Sequence, residues 1–319
     1  MPADKLPAEF ALIARHFRPL AGPGGLGLQD DVALIAPPPG RDLVVTVDAM
    51  VAGVHFLPDD PPDLIGRKLL RVNLSDLAAK GAVPLGYLMT ISAPRDTPDT
   101  FFAGFARGLA GDQATFGIAL LGGDTTRTPG PLTLSLTVIG FVAPGAMPRR
   151  SGARPGDGIW VTGTIGDGAL GLLVAQGRLC DPSGHLLDRY RVPRPRLGIG
   201  LAGIASAAMD VSDGLVQDLG HICRASGLGA EIEAARVPLS DAARAAGPEW
   251  LPTCLTGGDD YELLLAVPPG RDAALLAACS AVGVAITRIG RFRPGAPGVI
   301  VAAPDGAPLA LGAGGWSHF

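Results

Sequence analysis

NLSDLAAKGA, at residues 73–82, is the stretch from which the architecture of the chain can be worked out. Leucines recur in and before it at helical spacing and Gly81 supplies a stop, so it is predicted to end a buried helix. Asp76 lies inside that helix. A buried carboxylate is costly unless something compensates it, so Asp76 is either a satisfied structural residue or a metal ligand. We favour the ligand, because other aspartates recur in similar settings.

The composition excludes several classes of protein. The 319 residues carry a formal charge of −4 with 47% hydrophobic residues, no basic stripe and few aromatic residues, so no nucleic-acid partner and no membrane partner is expected. The length predicts two domains. The four cysteines lie far apart without a C-x-x-C pair, as is typical of reduced thiols in a cytoplasmic protein. With no signal peptide or membrane-spanning run, we predict a cytoplasmic location.

Aspartates mark the ends of apolar runs in the N-terminal half. Asp31 comes directly before the short apolar run 32–36, and a strand predicted over 43–47 ends in Asp48. Strand ends meet where loops converge, so these carboxylates are expected near Asp76 if the strands are neighbours. Any one of them alone is more often a turn former.

Further elements of this half follow from periodicity. After a leading helix, the predicted order is β-β-α-β-α-β-β. The strand predicted over 118–121 ends in Gly122-Gly123-Asp124. Paired glycines let backbone N–H groups approach a phosphate closely, and Asp124 is placed to hold its metal. A joint rich in Pro, Gly and Arg over 144–155 predicts a boundary, which gives domains of residues 1–146 and 147–319.

The second half contains a motif that imitates a cofactor site. After a strand predicted over 158–162, GDGALG at 166–171 matches the dinucleotide-binding fingerprint, with Asp188 near the acidic position that the fingerprint requires. The residues that should form the second strand contain Pro182 and no β-type run. We therefore interpret the motif as a tight turn into a helix predicted over 169–179.

Another acidic motif follows a helix predicted over 197–208. In DVSDG, at residues 210–214, Asp213 is a reasonable N-cap for the next helix, whereas Asp210 and Ser212 have no such duty. Two acids with a hydroxyl between them at a helix N-terminus suit a magnesium-bound phosphate.

Glycines again precede acids in TGGDDYE, at residues 256–262, which enters a strand predicted over 263–267. No P-loop and no kinase-type H-R-D or D-F-G set occurs. What remains is a set of aspartates next to glycines, whose hard oxygens suit several Mg²⁺ ions bridging ATP phosphates. If the acceptor is itself a phosphate, with a second pKa of about 6, no general base is needed.

Eight motifs carry a resemblance to a known family. They are GLQDDVAL, TVDAMVAGVHF, NLSDLAAKGA, LLGGDTTR, RRSGARPGD, DVSDGL, TGGDDYEL and the terminal GWSHF. In this order they resemble the thiamine-monophosphate kinases, which belong to the ATP-binding superfamily of aminoimidazole ribonucleotide synthetase and selenophosphate synthetase. The resemblance runs from Glu9 to Phe319.

The resemblance implies a fold and a reaction. The fold is α/β with two domains, like aminoimidazole ribonucleotide synthetase, in a homodimer whose N-terminal domains pair into an interface β-barrel and whose active sites lie at the interface. The reaction is in-line transfer of the γ-phosphoryl of ATP onto the phosphate of thiamine monophosphate, with Mg²⁺ bound. It gives thiamine diphosphate and ADP, as the last step of thiamine diphosphate biosynthesis.

The resemblance also implies roles for single residues. The implied magnesium ligands are Asp31, Thr46, Val47, Asp48, Asp76, Asp124, Asp210 and Asp213. The implied ATP-phosphate positions are Gly123, Asp124, Arg150 and Ser212. The implied thiamine positions are His55, Asp259 and Trp316. The implied catalytic set is Asp76, Asp124 and Asp210.

Three positions depart from the family pattern. Val47 stands where the family usually has Thr, so only its backbone carbonyl is left as a ligand. Asp259 replaces the usual Glu and shortens the reach towards substrate, and Gln29 sits where a Gly often precedes the two acids. Three alternatives remain open: a superfamily member that activates an amide or selenide, a nicotinamide oxidoreductase, and a non-catalytic metal or nucleotide sensor whose aspartates stabilise the dimer.

Overall fold

The computed structural model describes residues 8–303, 305–311 and 315. The chain divides into two compact units, Met1–Leu77 with Val83–Pro144 and Ala78–Ala82 with Gly145–Phe319. In the described residues, the α-helices are α1 (Ala8–Leu12), α2 (Pro62–Ala79), α3 (Asp99–Phe116), α4 (Asp167–Ala175), α5 (His185–Arg191), α6 (Leu215–Ser226), α7 (Asp241–Ala246), α8 (Leu251–Thr256) and α9 (Asp272–Ala281). The strands are β1 (Asp42–Val51), β2 (Val83–Ala93), β3 (Leu120–Arg127), β4 (Thr133–Val142), β5 (Gly158–Thr162), β6 (Ala207–Asp210), β7 (Gly229–Glu233), β8 (Leu263–Val267), β9 (Ile286–Arg293) and β10 (Gly298–Ala302).

The first unit contains a four-stranded sheet in the order β1-β4-β2-β3. Strand β4 runs antiparallel to both β1 and β2, and β3 runs parallel to β2. Helices α2 and α3 supply buried apolar side chains to this unit, among them Leu70, Leu74, Phe102 and Phe105. The helical pattern predicted around Asp76 is therefore confirmed, and its apolar face is the one that is buried.

Small residues and ion pairs to Asp112 hold α2 against α3. A Cβ at Gly108 would lie 1.9 Å from the carbonyl oxygen of Asp63, so the two backbones touch at this glycine. Arg71 donates two hydrogen bonds to Asp112, from Nε at 2.5 Å and from Nη2 at 2.9 Å. Asp112 is buried and accepts a third hydrogen bond from Nε of Arg67 at 3.2 Å. A paired, fully hydrogen-bonded carboxylate is the form in which a buried charge is tolerated.

Two predictions for the first unit are wrong. The apolar run 32–36 forms no strand, because no strand among the described residues pairs with it, and Val32 and Leu34 are exposed. The glycine and aspartate motif at residues 122–124 lies inside β3 rather than after it. Parallel pairing with β2 continues through the motif, from Leu88 opposite Gly122 onwards.

The second unit contains a six-stranded sheet in the order β10-β7-β9-β5-β8-β6. Strand β8 runs antiparallel to both β5 and β6. Every residue of β5 and β8 is buried, as expected of central strands covered on both faces. In the described residues, no helix combines the length and the apolar composition that a membrane span requires.

The small-residue segment 197–208 is not the predicted helix. It forms turns and then enters β6, with left-handed backbone at Gly198 (φ 85°) and Gly203 (φ 70°) that an α-helix does not allow. The interpretation of residues 166–171 as a strand-to-helix turn is confirmed, since β5 ends at Thr162 and α4 begins at Asp167. Asp188 lies within α5, not at the end of a second strand.

Two glycines of α3 make a matched test of the helix packing. Gly108→Ala should lower the melting temperature, because the added methyl overlaps the backbone at Asp63 and such overpacking costs about 1–3 kcal/mol. Gly111→Ala should raise it by up to the equivalent of about 1 kcal/mol, because no atom of the described residues lies within 4 Å of the new methyl and alanine favours helix. Thermal unfolding followed by circular dichroism checks both, and equal effects would contradict the packing described.

Candidate functional site

In the first unit, a hydrogen-bonded pair joins β1 to α2. The hydroxyl of Thr46 donates to Oδ2 of Asp76 at 2.5 Å, and the N–H of Asp48 donates to Oδ1 of Asn73 at 3.0 Å. Asn73 is fully buried and donates in turn to the carbonyl oxygen of Leu69 at 2.9 Å. The structure thus brings three predicted metal-ligand positions, Thr46, Asp48 and Asp76, to one place.

The side chain of Val47 points the other way. Alternation along β1 leaves Val47 60% exposed, while its neighbours Thr46 and Asp48 are half-buried. A valine here therefore costs no contact with α2. Its carbonyl group remains in the strand between the two oxygen-bearing residues.

Asp124 lies at the opposite edge of the sheet. Strands β4 and β2 stand between β1 and β3, so three strand spacings of about 4.8 Å each, about 14 Å in all, separate Asp48 from the Asp124 region. Asp124 is exposed, pairs in register with Thr90 and accepts a hydrogen bond from the N–H of Thr125 at 2.9 Å. Within one copy of the chain, Asp124 does not join the Thr46 and Asp76 pair.

Gly123 has a structural role inside the sheet. Glycine readily adopts its φ of 154°, which other residues rarely do. A Cβ here would lie 1.8 Å from the carbonyl oxygen of Met89 on β2. The sequence predicted that a glycine here lets a phosphate approach the backbone. The close contact between Gly123 and the neighbouring strand β2 already requires a glycine.

His55 is fixed by its own turn. Its Nδ1 accepts from the N–H of Val51 at 3.0 Å, and its carbonyl oxygen accepts from Nζ of Lys68 at 3.0 Å. Accepting through Nδ1 places the proton of a neutral ring on Nε2. Asp31 lies in an exposed bend, where its N–H donates to Oδ1 of Asp30 at 2.8 Å.

In the second unit, the segment after β6 pairs with the segment before β8. The N–H of Val211 donates to the carbonyl oxygen of Glu262 at 2.8 Å, and the N–H of Tyr261 donates back to Val211 at 2.8 Å. The N–H of Asp259 donates to the carbonyl oxygen of Ser212 at 2.9 Å. The structure therefore brings the DVSDG and TGGDDYE motifs together, as two adjacent strand ends.

Glycines permit this close pairing. A Cβ at Gly258 would lie 2.2 Å from the carbonyl oxygen of Ser212, and a Cβ at Gly214 would lie 2.4 Å from that of Thr256. Gly214 also has a φ of 120°, which a residue with a side chain rarely adopts. Both contacts bring backbone against backbone, so neither can be relieved by moving a side chain.

Asp218 was not among the predicted site residues, and it holds the loop that precedes α6. Helix α6 begins after Gly214 without a side-chain N-cap, so the prediction that Asp213 caps it is wrong. Instead Oδ2 of Asp218 accepts from the N–H groups of Ser212 and Asp213, each at 3.0 Å. Burial raises the pKa of Asp218 to about 7. Its position in the first turn of α6 was the available signal.

Asp213, Asp218 and His221 bring ligand atoms within 4.8 Å of one another, an arrangement that can hold a metal ion. Burial lowers the pKa of His221, and the charges of Arg224 and Arg150 lower it further, so the neutral, metal-binding form of the ring is favoured. The exposed Arg150 therefore lies within electrostatic range of this cluster. Trp316 lies outside the described residues.

Two more acids that the sequence reasoning passed over anchor the TGGDDYE motif. The buried carboxylate of Asp260 accepts from the N–H groups of Gly166 at 2.7 Å and Gly168 at 3.0 Å, and burial raises its pKa well above the usual range. The buried Glu262 accepts from Oγ1 of Thr162 at 2.7 Å and also binds two arginines, Arg189 and Arg196.

Comparison with known proteins gives the family. Models of the AIR synthase related protein family match residues 29–142 with the N-terminal domain and 154–302 with the C-terminal domain. Thiamine-monophosphate kinase from Caulobacter vibrioides is 47% identical over 304 residues, which cover 92% of this chain and 86% of that protein. The chain belongs to the thiamine-monophosphate kinase family. The resemblance predicted from the motifs is thereby confirmed.

Solved structures of thiamine-monophosphate kinases share the fold. The enzyme from Stenotrophomonas maltophilia K279a has a TM-score of 0.83 at 41% identity, covering 95% of this chain and 98% of that one. The complex of AaThiL with AMPPCP and TMP has a TM-score of 0.77 at 30% identity, covering 98% and 97%. The expected α/β fold with two domains of this type is confirmed.

Asp218 offers a test of the loop that carries Ser212 and Asp213. Asp218→Ala should destabilise the protein by about 1–3 kcal/mol, because two half-buried backbone N–H groups lose their acceptor. Asp218→Asn keeps an acceptor oxygen and should cost clearly less. Urea unfolding measures both, and equal losses would mean that the carboxamide oxygen does not replace the carboxylate at this loop.

Proposed function

We propose that this chain phosphorylates thiamine monophosphate with ATP, giving thiamine diphosphate and ADP. The observation that carries the proposal is its similarity, over 98% of the chain, to a structure that holds both AMPPCP, an ATP analogue, and TMP. No feature of the described residues favours the nicotinamide alternative, because Asp188 lies in a helix.

The donor set fits magnesium. Asp76 with Thr46 in one unit, and Asp210 with Asp213 in the other, offer carboxylate and hydroxyl oxygens, which are the ligands that Mg²⁺ prefers. Magnesium bound there supplies charge neutralisation for the phosphates during transfer. The Asp76 and Thr46 hydrogen bond orients one carboxylate in advance of binding.

The remaining candidates act on the substrates. We assign Arg150 and Ser212, with Gly123 and Asp124, to the ATP phosphates, and His55, Asp259 and Trp316 to the thiamine moiety. Because the acceptor phosphate is largely ionised near pH 7, with a second pKa of about 6, the proposed transfer needs positioning more than proton removal. We further propose a cytoplasmic location and domains of residues 1–146 and 147–319.

The first experiment measures thiamine diphosphate and ADP formed from thiamine monophosphate and MgATP. Asp76→Asn and Asp210→Asn should each lower kcat at least about a hundredfold, since each removes charge from a metal-binding carboxylate. Asp241→Asn, at a fully exposed position, should keep wild-type kcat.

The outcomes separate the candidate functions. Absence of thiamine diphosphate with the wild-type protein would overturn the substrate assignment and favour another phosphate or carboxamide acceptor. Full activity of the Asp76 and Asp210 variants would overturn the site assignment while leaving the reaction intact.

We also propose that the chain forms a homodimer through the face of the first sheet that carries exposed apolar side chains. Leu43, Val45 and Val47 on β1 are exposed, and so is Leu88 on β2. The register places Val47 and Leu88 opposite the same residue of β4, Thr137, so these side chains share one face. A contiguous exposed apolar face is the usual mark of an interface, and a second copy offers the same face in return.

Val45→Glu tests the dimer. A charge in the centre of the proposed interface should convert the protein to a monomer in multi-angle light scattering, since burying an unpaired carboxylate is costly. Leu276→Glu, which changes a similarly exposed apolar residue on α9, should leave the dimer intact. A monomeric wild-type protein, or a dimer that tolerates Val45→Glu, would contradict the assignment.

A further inference from the structure

Two residues of the TGGDDYE motif adopt a backbone conformation that is uncommon outside glycine. Asp259 has a φ of 71° and Tyr261 a φ of 53°, both in the left-handed region. For a bulky residue such as tyrosine this conformation is an outlier, and it persists only where the surroundings enforce it. The two residues alternate with the buried anchors Asp260 and Glu262, so the segment is fixed at every second residue.

The backbone around Asp259 is held from two sides. Its N–H donates to Ser212, and its carbonyl oxygen lies so close to Gly168 that a Cβ there would approach it to 2.2 Å. The N–H of Tyr261 is bound to Val211. Neither residue can change its backbone direction without breaking these contacts, and the directions in which the two side chains leave the chain are therefore fixed.

The Tyr261 side chain turns back onto Asp259. Its hydroxyl donates to Oδ1 of Asp259 at 3.2 Å, and both residues are half-buried. A hydrogen bond to one carboxylate oxygen limits rotation of the carboxylate. Such restriction removes in advance an entropy cost that ligand binding would otherwise carry.

We propose that Tyr261 is a positioning residue for substrate recognition, whose hydroxyl holds the Asp259 carboxylate towards the thiamine rings. Those rings offer a permanently cationic thiazolium and an aminopyrimidine, and a fixed carboxylate complements either. The inference rests on the proposed function, and it deepens that function by adding the residue that orients the proposed thiamine contact.

Tyr261→Phe removes only the hydroxyl. The KM for thiamine monophosphate should rise about fivefold to tenfold, as expected for the loss of a partly exposed hydrogen bond to a charged group. The KM for ATP and the value of kcat should stay within twofold of wild type, because the hydroxyl orients the proposed thiamine contact and none of the groups assigned to the ATP phosphates.

Two further variants separate positioning from a general structural effect. Tyr87 and Gln113 both lie in the first unit, whereas the TGGDDYE motif lies in the second. Tyr87→Phe removes a buried hydroxyl that accepts from Nε2 of Gln113, and it should lower the melting temperature without changing either KM. In an Asp259→Ala background, Tyr261→Phe should change the KM for thiamine monophosphate by less than twofold, because the group that it orients is gone.

Each outcome bears on one claim. A wild-type enzyme that forms thiamine diphosphate, with an unchanged KM in Tyr261→Phe, would overturn the role of Tyr261 and leave the proposed function standing. The same would follow if both KM values rose together, or if Tyr261→Phe kept its full effect in the Asp259→Ala background. A wild-type protein that does not phosphorylate thiamine monophosphate would overturn the proposed function, and the role of Tyr261 with it.

Discussion

Backbone hydrogen bonds between residues 211–212 and 259–262 are the constraint on which the second unit's candidate site depends. They extend the β6 and β8 pairing beyond the ends of both strands, into segments that carry the acids. The geometry holds only because glycines allow the two backbones to touch. Without that contact, Ser212 and Asp259 would lie on two independent loops.

Buried charge makes this arrangement specific. Asp260 binds the amide groups at the start of α4, and Glu262 binds Arg189 and Arg196. A buried pair of this kind contributes little net stability compared with apolar packing, but breaking it leaves an uncompensated charge, which is strongly unfavourable. The network therefore acts mainly by making other positions of residues 259–262 unfavourable, and it adds little to the stability of the observed position.

Periodicity predicted the elements whose own sequence decides their form. The helix that carries Asp76 and the buried strands β5 and β8 occur where the pattern placed them. The helix predicted over 197–208 was wrong. Small residues are compatible with a helix, but Gly198 and Gly203 adopt left-handed dihedral angles that an α-helix does not contain. The pattern was also wrong at 32–36, where no strand of the described residues pairs with the apolar run.

The candidate site shows the same division. The DVSDG and TGGDDYE motifs were recognised from composition, but the duties of Asp260 and Glu262 depend on partners far away in the chain. Asp260, for example, accepts from residues 166 and 168, more than ninety positions earlier. No local pattern reports such a partner. The sequence could therefore predict which segments matter, but not which of their acids are buried as anchors.

The left-handed backbone at residue 259 also gives a reason for aspartate at a position where the family usually has glutamate. Glycine, asparagine and aspartate adopt such dihedral angles most readily. Of these, glycine has no side chain and asparagine no charge, so aspartate is the residue that combines a relaxed backbone with a negative charge. A longer glutamate would gain reach at the expense of backbone strain. Exchange of this aspartate for asparagine would keep the backbone conformation and the buried anchors. It would remove the negative charge, and so change the charge of the ligand that the position prefers.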